Sequence, residues 1–141
     1  MHSSDKHSSD KHSPETLLAL FEARELDPAG FRHRDHVALA WALLRRDPPL
    51  EAMEKYIAGL KQLTLSVGKP EAYHATITWA FLLLVQERLG RHRESCWEEF
   101  ERTNADLFAW QPSVLERYYR PETLGSELAR QIFLLPDRLA A

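Results

Sequence analysis

The chain has one cysteine, Cys96, so no disulfide can close within it and no Cys-x-x-Cys metal element exists. Glycine is scarce, five in 141 residues, and none belongs to a phosphate-cradling loop. Positive charge is not in excess either. Eighteen Lys and Arg stand against 21 Asp and Glu, a formal net charge of −3, which offers no general cationic surface to nucleic acid or to an anionic membrane. Arg88, Arg91 and Arg93 lie close together, but a like-charge run of this kind reads as a solvated face. Long apolar runs are missing too. The strongest, Ile77 to Val85, is closed by Gln86, Glu87 and Arg88, well short of the roughly 20 residues a membrane span requires. The first dozen residues lack the apolar centre of a secretory leader. These absences predict a soluble, cytoplasmic protein with no nucleic-acid and no membrane partner. Sustained strand alternation is also absent, which predicts an all-α fold.

What is present is helix punctuation. His-Ser-Ser-Asp-Lys repeats near the N-terminus, too poor in apolar side chains to bury, so residues 1–13 are expected to form a disordered polar tail ahead of a single helical domain at 14–141. Ser13, Pro14 and Glu15 supply a cap, a first helical residue and a favourable charge for a first helix. Val37 to Leu44 carry a second. Leu50, Met53, Tyr56, Ile57, Leu60, Leu63, Thr64 and Val67 recur at intervals of three and four, with Gly68 at the left-handed cap position of this third helix. A fourth is predicted from Glu71 to Leu89. Its apolar residues cover nearly every side, which places it at the bundle centre or turns a second face to another subunit, a candidate homodimer contact. Ser95 and Glu98 fit a capping box opening a fifth helix. Val114 to Tyr119 and Thr123 to Leu134 complete a compact, mostly antiparallel bundle of about six helices.

Short connections alternate helix direction, so the starts of the second and fourth helices share one end of the bundle. That brings His33 and His36 toward Glu71 and His74. Each pair is spaced by three, the spacing of a shared helix face. Imidazole and carboxylate suit a divalent transition metal, and His33, His36, His74 and Glu71 form the candidate ligand set, with Asp35 as a further ligand or ring orienter. Glu71-x-x-His74 matches one element of carboxylate-bridged dimetal bundles, but the second such element is absent. Without metal, His36 or His74 would serve as general base and Arg130 as anion clamp. Thr78, one turn beyond His74, the aromatic residues Trp41 and Tyr118, and Asp137 are candidate ligand contacts. Each residue also has a structural role open to it: hydrogen-bonded histidines, an intrahelical threonine bond, core aromatics, and an arginine paired with Glu127 or Asp137.

Phe31-x-His33-x-Asp35-His36-Val37-x-Leu39-Ala40-Trp41, Tyr73-His74-x-Thr76-Ile77-Thr78 and Pro112-Ser113-x-Leu115-x-x-Tyr118-Tyr119 together resemble a family of small, uncharacterised bacterial all-helical proteins. The likeness continues through Leu124-Gly125-Ser126-x-x-Ala129-Arg130 to Phe133 and Pro136-Asp137, covering nearly everything after the tail. It implies the helical fold, and it groups His36, His74, Tyr118, Arg130 and Asp137 as residues of one recurrent pattern. The sequence therefore points to a small-molecule or metal-binding protein, an enzyme if His36 or His74 moves a proton. A non-catalytic interaction or dimeric accessory protein is the alternative.

Overall fold

A computed structural model describes residues 12–92 and 96–138. The described residues form an all-α fold, in the order α1 (Pro14–Glu22), α2 (His33–Arg46), α3 (Pro49–Ser66), α4 (Ala75–Arg91), α5 (Trp97–Thr103), α6 (Pro121–Leu124) and α7 (Glu127–Gln131). Short 3-10 turns at Pro28–Gly30, Pro70–Ala72, Ala105–Leu107 and Val114–Arg117 link them. Most of the expected tail, residues 1–11, and Ser95 of the expected capping box lie outside the described residues; α5 begins at Trp97 behind Cys96. No helix among the described residues is long and apolar enough to cross a membrane.

Local chemistry sets the helix ends as expected in two places. The Ser13 hydroxyl accepts the Thr16 amide at 3.1 Å, and Pro14 takes the first helical position, where its missing N–H costs nothing. Gly68 adopts φ +73° after α3, and the Lys69 amide returns to the Thr64 carbonyl at 2.9 Å, which satisfies a carbonyl of the last turn.

The centre of the bundle is α2, not α4. Seven consecutive residues, Val37 to Leu43, are buried. Ala38, Ala40 and Ala42 let neighbours approach closely on several sides, and α1, α3 and α4 all pack against this helix. On α4, by contrast, Trp79 and Leu83 remain 37% and 40% exposed, because no described helix covers that side. Gly59 serves α3 in a similar way to those alanines. A Cβ there would lie 2.0 Å from the ring of Phe21, so the missing side chain is what lets α1 pack onto α3.

Proline and glycine divide the C-terminal third more finely than the expected helices. Val114–Arg117 is a 3-10 turn, and the last helix is split at Gly125 and Ser126, where the Ser126 hydroxyl caps α7 by accepting the Ala129 amide at 3.1 Å. After α7 an extended strap, Ile132 to Arg138, runs across the start of α4. Thr76, completely buried, donates to the Ile132 carbonyl at 2.8 Å and accepts the Leu134 amide at 3.1 Å. The Tyr119 hydroxyl donates to the Leu134 carbonyl at 2.7 Å.

Candidate functional site

The beginnings of α2 and α4 do meet at one end of the bundle. Between them and α3 lies a cavity of about 600 Å³. Val37, Ala40, Leu60, Ile77, Phe81 and Leu82 give it apolar walls; His33, His36, Tyr56, Thr64, Tyr73, His74, Thr78 and Arg130 supply polar groups. Ala72 and Trp110 are its most exposed lining residues, with Arg130 half-exposed, so these form the rim. The fully buried Val37, Ala40, Tyr56 and Leu82 form the floor.

The three histidines are held differently. His33 opens α2, and its Nε2 meets the Leu107 carbonyl at 2.8 Å, which fixes the ring proton there and leaves Nδ1 unprotonated. The ring is wedged between Phe81 and Trp110, at centroid distances of 4.9 and 4.8 Å. Burial lowers its pKa below the ordinary imidazole value, partly offset by the carbonyl bond. His36, one turn on, stacks on Phe31 at 4.1 Å, and its Nδ1 lies 3.3 Å from the Tyr56 hydroxyl. Tyr56 gives its one hydroxyl proton to the His36 carbonyl at 3.2 Å, so His36 Nδ1–H donates to the hydroxyl oxygen and Nε2 is the acceptor. Burial, reinforced by the neighbouring His33, pushes the His36 pKa down to about 4. Burial likewise raises that of Tyr56, so both groups are neutral near pH 7. Among the described residues neither His33 Nδ1 nor His36 Nε2 has a hydrogen-bond partner.

His74 has no free nitrogen. It is the N-cap of α4, with extended backbone (φ −125°, ψ 109°): Nδ1 accepts the Ile77 amide at 3.1 Å, and Nε2 donates to the Leu124 carbonyl at 2.7 Å. This corrects the expected helix start at Glu71. Pro70 opens a separate 3-10 turn and Tyr73 and His74 are extended, so Glu71 and His74 do not share a helix face. Glu71 is exposed, and its backbone carbonyl, not its carboxylate, is engaged, by Arg130 Nη1 at 2.8 Å. Asp35 is buried and accepts the Arg32 amide at 3.1 Å, closing the first turn of α2. No group of three His, Cys, Asp or Glu side chains among the described residues is placed to hold a metal ion. With His74 fully bonded and Glu71 on the surface, the four expected metal ligands do not converge.

Of the other expected contacts, Thr78 lines the cavity; Trp41, Tyr118 and Asp137 do not. Trp41, one turn beyond the lining residue Val37, packs instead against Trp97 at 5.2 Å and beneath the Arg45 guanidinium at 4.5 Å. The Tyr118 carbonyl receives the Asp137 and Arg138 amides at 3.0 and 2.9 Å. Asp137 accepts from the Thr123 hydroxyl and from the Arg120 amide at 3.0 Å, contacts that hold its carboxyl below the usual range. Both residues fasten the strap. Arg88 is tied to Asn104 and Asp106, and Arg117 to Asp106, while Arg93 lies outside the described residues. Tyr56 was hidden from sequence reasoning because it sits in the core stripe of α3. A phenol in such a stripe needs a hydroxyl partner, and that need was the available signal.

No family model, no curated protein and no solved structure matches the chain.

Proposed function

We propose that this protein binds a small, mostly apolar molecule in the histidine-lined cavity. The cavity itself carries the proposal: about 600 Å³ enclosed chiefly by apolar and aromatic side chains, with two imidazole nitrogens left unbonded at its wall. Its size falls in the range of small-molecule sites, and the few open polar groups would orient a ligand that apolar contact retains. His33 and His36 line the cavity and neither open nitrogen is sealed from solvent, so a ligand donor can bond to either one. Neutral imidazoles suit this role better than proton abstraction. A general base works best with a pKa near the working pH, whereas that of His36 lies near 4.

The neutral fluorophore N-phenyl-1-naphthylamine tests the proposal. It should bind with one-to-one stoichiometry and brighten, and Thr78→Trp, which fills the cavity from a half-buried position, should abolish the signal while the protein stays folded. Equal signal from the parent and the filled variant would place the dye elsewhere and remove the proposal.

The outer side of α4 supports a second role, self-association. Trp79 and Leu83 lie one turn apart, Phe133 stacks on Trp79 at 5.4 Å, and the nearby Ile132 and Leu135 are 50% and 76% exposed. Light scattering should then return a dimer mass that Trp79→Glu converts to monomer. A monomer in the parent protein would rule this role out.

A further inference from the structure

We propose that the ligand of this cavity is an apolar monocarboxylate whose acid group is held at the rim by Arg130. The assignment rests on the cavity being a ligand site and adds the chemistry that would select the ligand. Arg130 is the one Arg, Lys, Asp or Glu among the lining residues, so the only fixed formal charge of its walls is positive.

The guanidinium is positioned but not neutralised. Nη1 donates to the Glu71 carbonyl at 2.8 Å, and a carbonyl orients the group without cancelling its charge. Its ion-pair neighbour is Glu127, 3.9 Å from Nε, with a side chain 71% exposed. That distance and exposure make the pair weak and easily exchanged. Nη2 has no hydrogen-bond partner among the described residues, so with Nε it offers part of the planar fork that matches a carboxylate. Lys61, whose ammonium stands 5.3 Å from the Tyr73 ring centroid, adds positive charge behind another cavity residue.

The remainder of the cavity fixes where the charge must lie. Val37, Ala40, Leu60 and Leu82 could not compensate a buried anion, whereas the side chain of Arg130 is 38% exposed and can hold one at the water boundary. A single lining cation suits a monoanion. A phosphate dianion calls for more donors than the rim provides. The ligand is thus an aliphatic or aromatic body in the cavity and one carboxylate at its mouth.

Matched acids and amides separate this proposal from the cavity proposal. Displacement of N-phenyl-1-naphthylamine by 4-phenylbutyrate and 4-phenylbutyramide, and by octanoate and octanamide, is measured at pH 7.5. Each acid should bind about tenfold more tightly than its amide, as expected for one charge-assisted contact. Arg130→Gln should bring that ratio to about one, whatever it does to the affinity of both, and Arg130→Lys should retain part of the preference. Loss of the Glu71 bond alone would weaken acid and amide alike, so the ratio distinguishes recognition from a structural role. Should Arg130→Gln fail to fold, the parent ratio and Arg130→Lys decide the matter. If the dye binds but acids and amides compete equally, or none competes, the carboxylate assignment is overturned and the cavity proposal stands. If the dye does not bind, both fall.

Discussion

Along the C-terminal strap the polar side chains find partners. Thr76 donates to one strap carbonyl and accepts one strap amide, Tyr119 donates to another carbonyl, and Asp137 takes up the Arg120 amide and the Thr123 hydroxyl. His74, between strap and cavity, uses both ring nitrogens on backbone. In the neighbouring cavity the same kinds of group are left open: His33 and His36 each keep an unbonded nitrogen, and Arg130 keeps part of its fork. At the strap and at His74, saturated bonds hold the fold, whereas open nitrogens that line a cavity are available to a ligand; the core itself also leaves Trp41 Nε1 and Trp97 Nε1 buried without partners.

Acid should expose this difference most strongly. His36 and His33 have lowered folded pKa values, so their stabilising contribution is complete above the ordinary value of 6.5 and is lost as pH falls through the unfolded value toward about 4. For His36 alone the loss should approach roughly 3 kcal/mol by pH 4, measured by urea unfolding at stepped pH. The strap carboxylate Asp137 and the Arg88-paired Asp106, both lowered, should add their losses only below the ordinary carboxylate value of 3.8. Stability that stays flat from pH 7 to 4 would mean the imidazoles are not buried as described. A smaller effect is expected at the strap. Thr76→Val keeps the shape but leaves a carbonyl and an amide unpaired, and should cost about 2 kcal/mol in denaturant melts. A cost near zero would show that water replaces the hydroxyl. Smallest is His36→Phe, which retains an aromatic ring for Phe31 and leaves Tyr56 its carbonyl partner. Stability at pH 7 should change by less than about 1 kcal/mol, while the slope between pH 6.5 and 4 shrinks. A larger loss at pH 7 would place His36 with the saturated, structural histidines.

Much of the scaffold was legible because its signals are local. Ser13 and Pro14 act within one turn, Gly68 ends α3 through its own φ angle, and the short links set helix direction, which was enough to bring His33, His36 and His74 to one end. The start of α4 lies later than expected because Glu71 and Ala72 are sound helix formers, yet the extended backbone of Tyr73 and His74 separates their 3-10 turn from the helix. Aromatic character suggests Trp41 for the pocket, but its ring is taken up by Trp97, Phe100 and Arg45, partners distant in sequence or hidden in a charged residue. Tyr118 and Asp137 looked like ligand contacts because their partners are strap groups that no helix periodicity announces.

By itself the sequence determined an all-α bundle, a few of its helix ends and the end at which the unusual polar residues gather. Those features follow from propensity, capping and chain direction over a few residues. Only the tertiary structure decided which helix is central, that a cavity remains, and which nitrogens face it unbonded. His33 is fixed by a carbonyl 74 residues away and His74 by one 50 residues away, distances over which residue spacing carries no record of geometry.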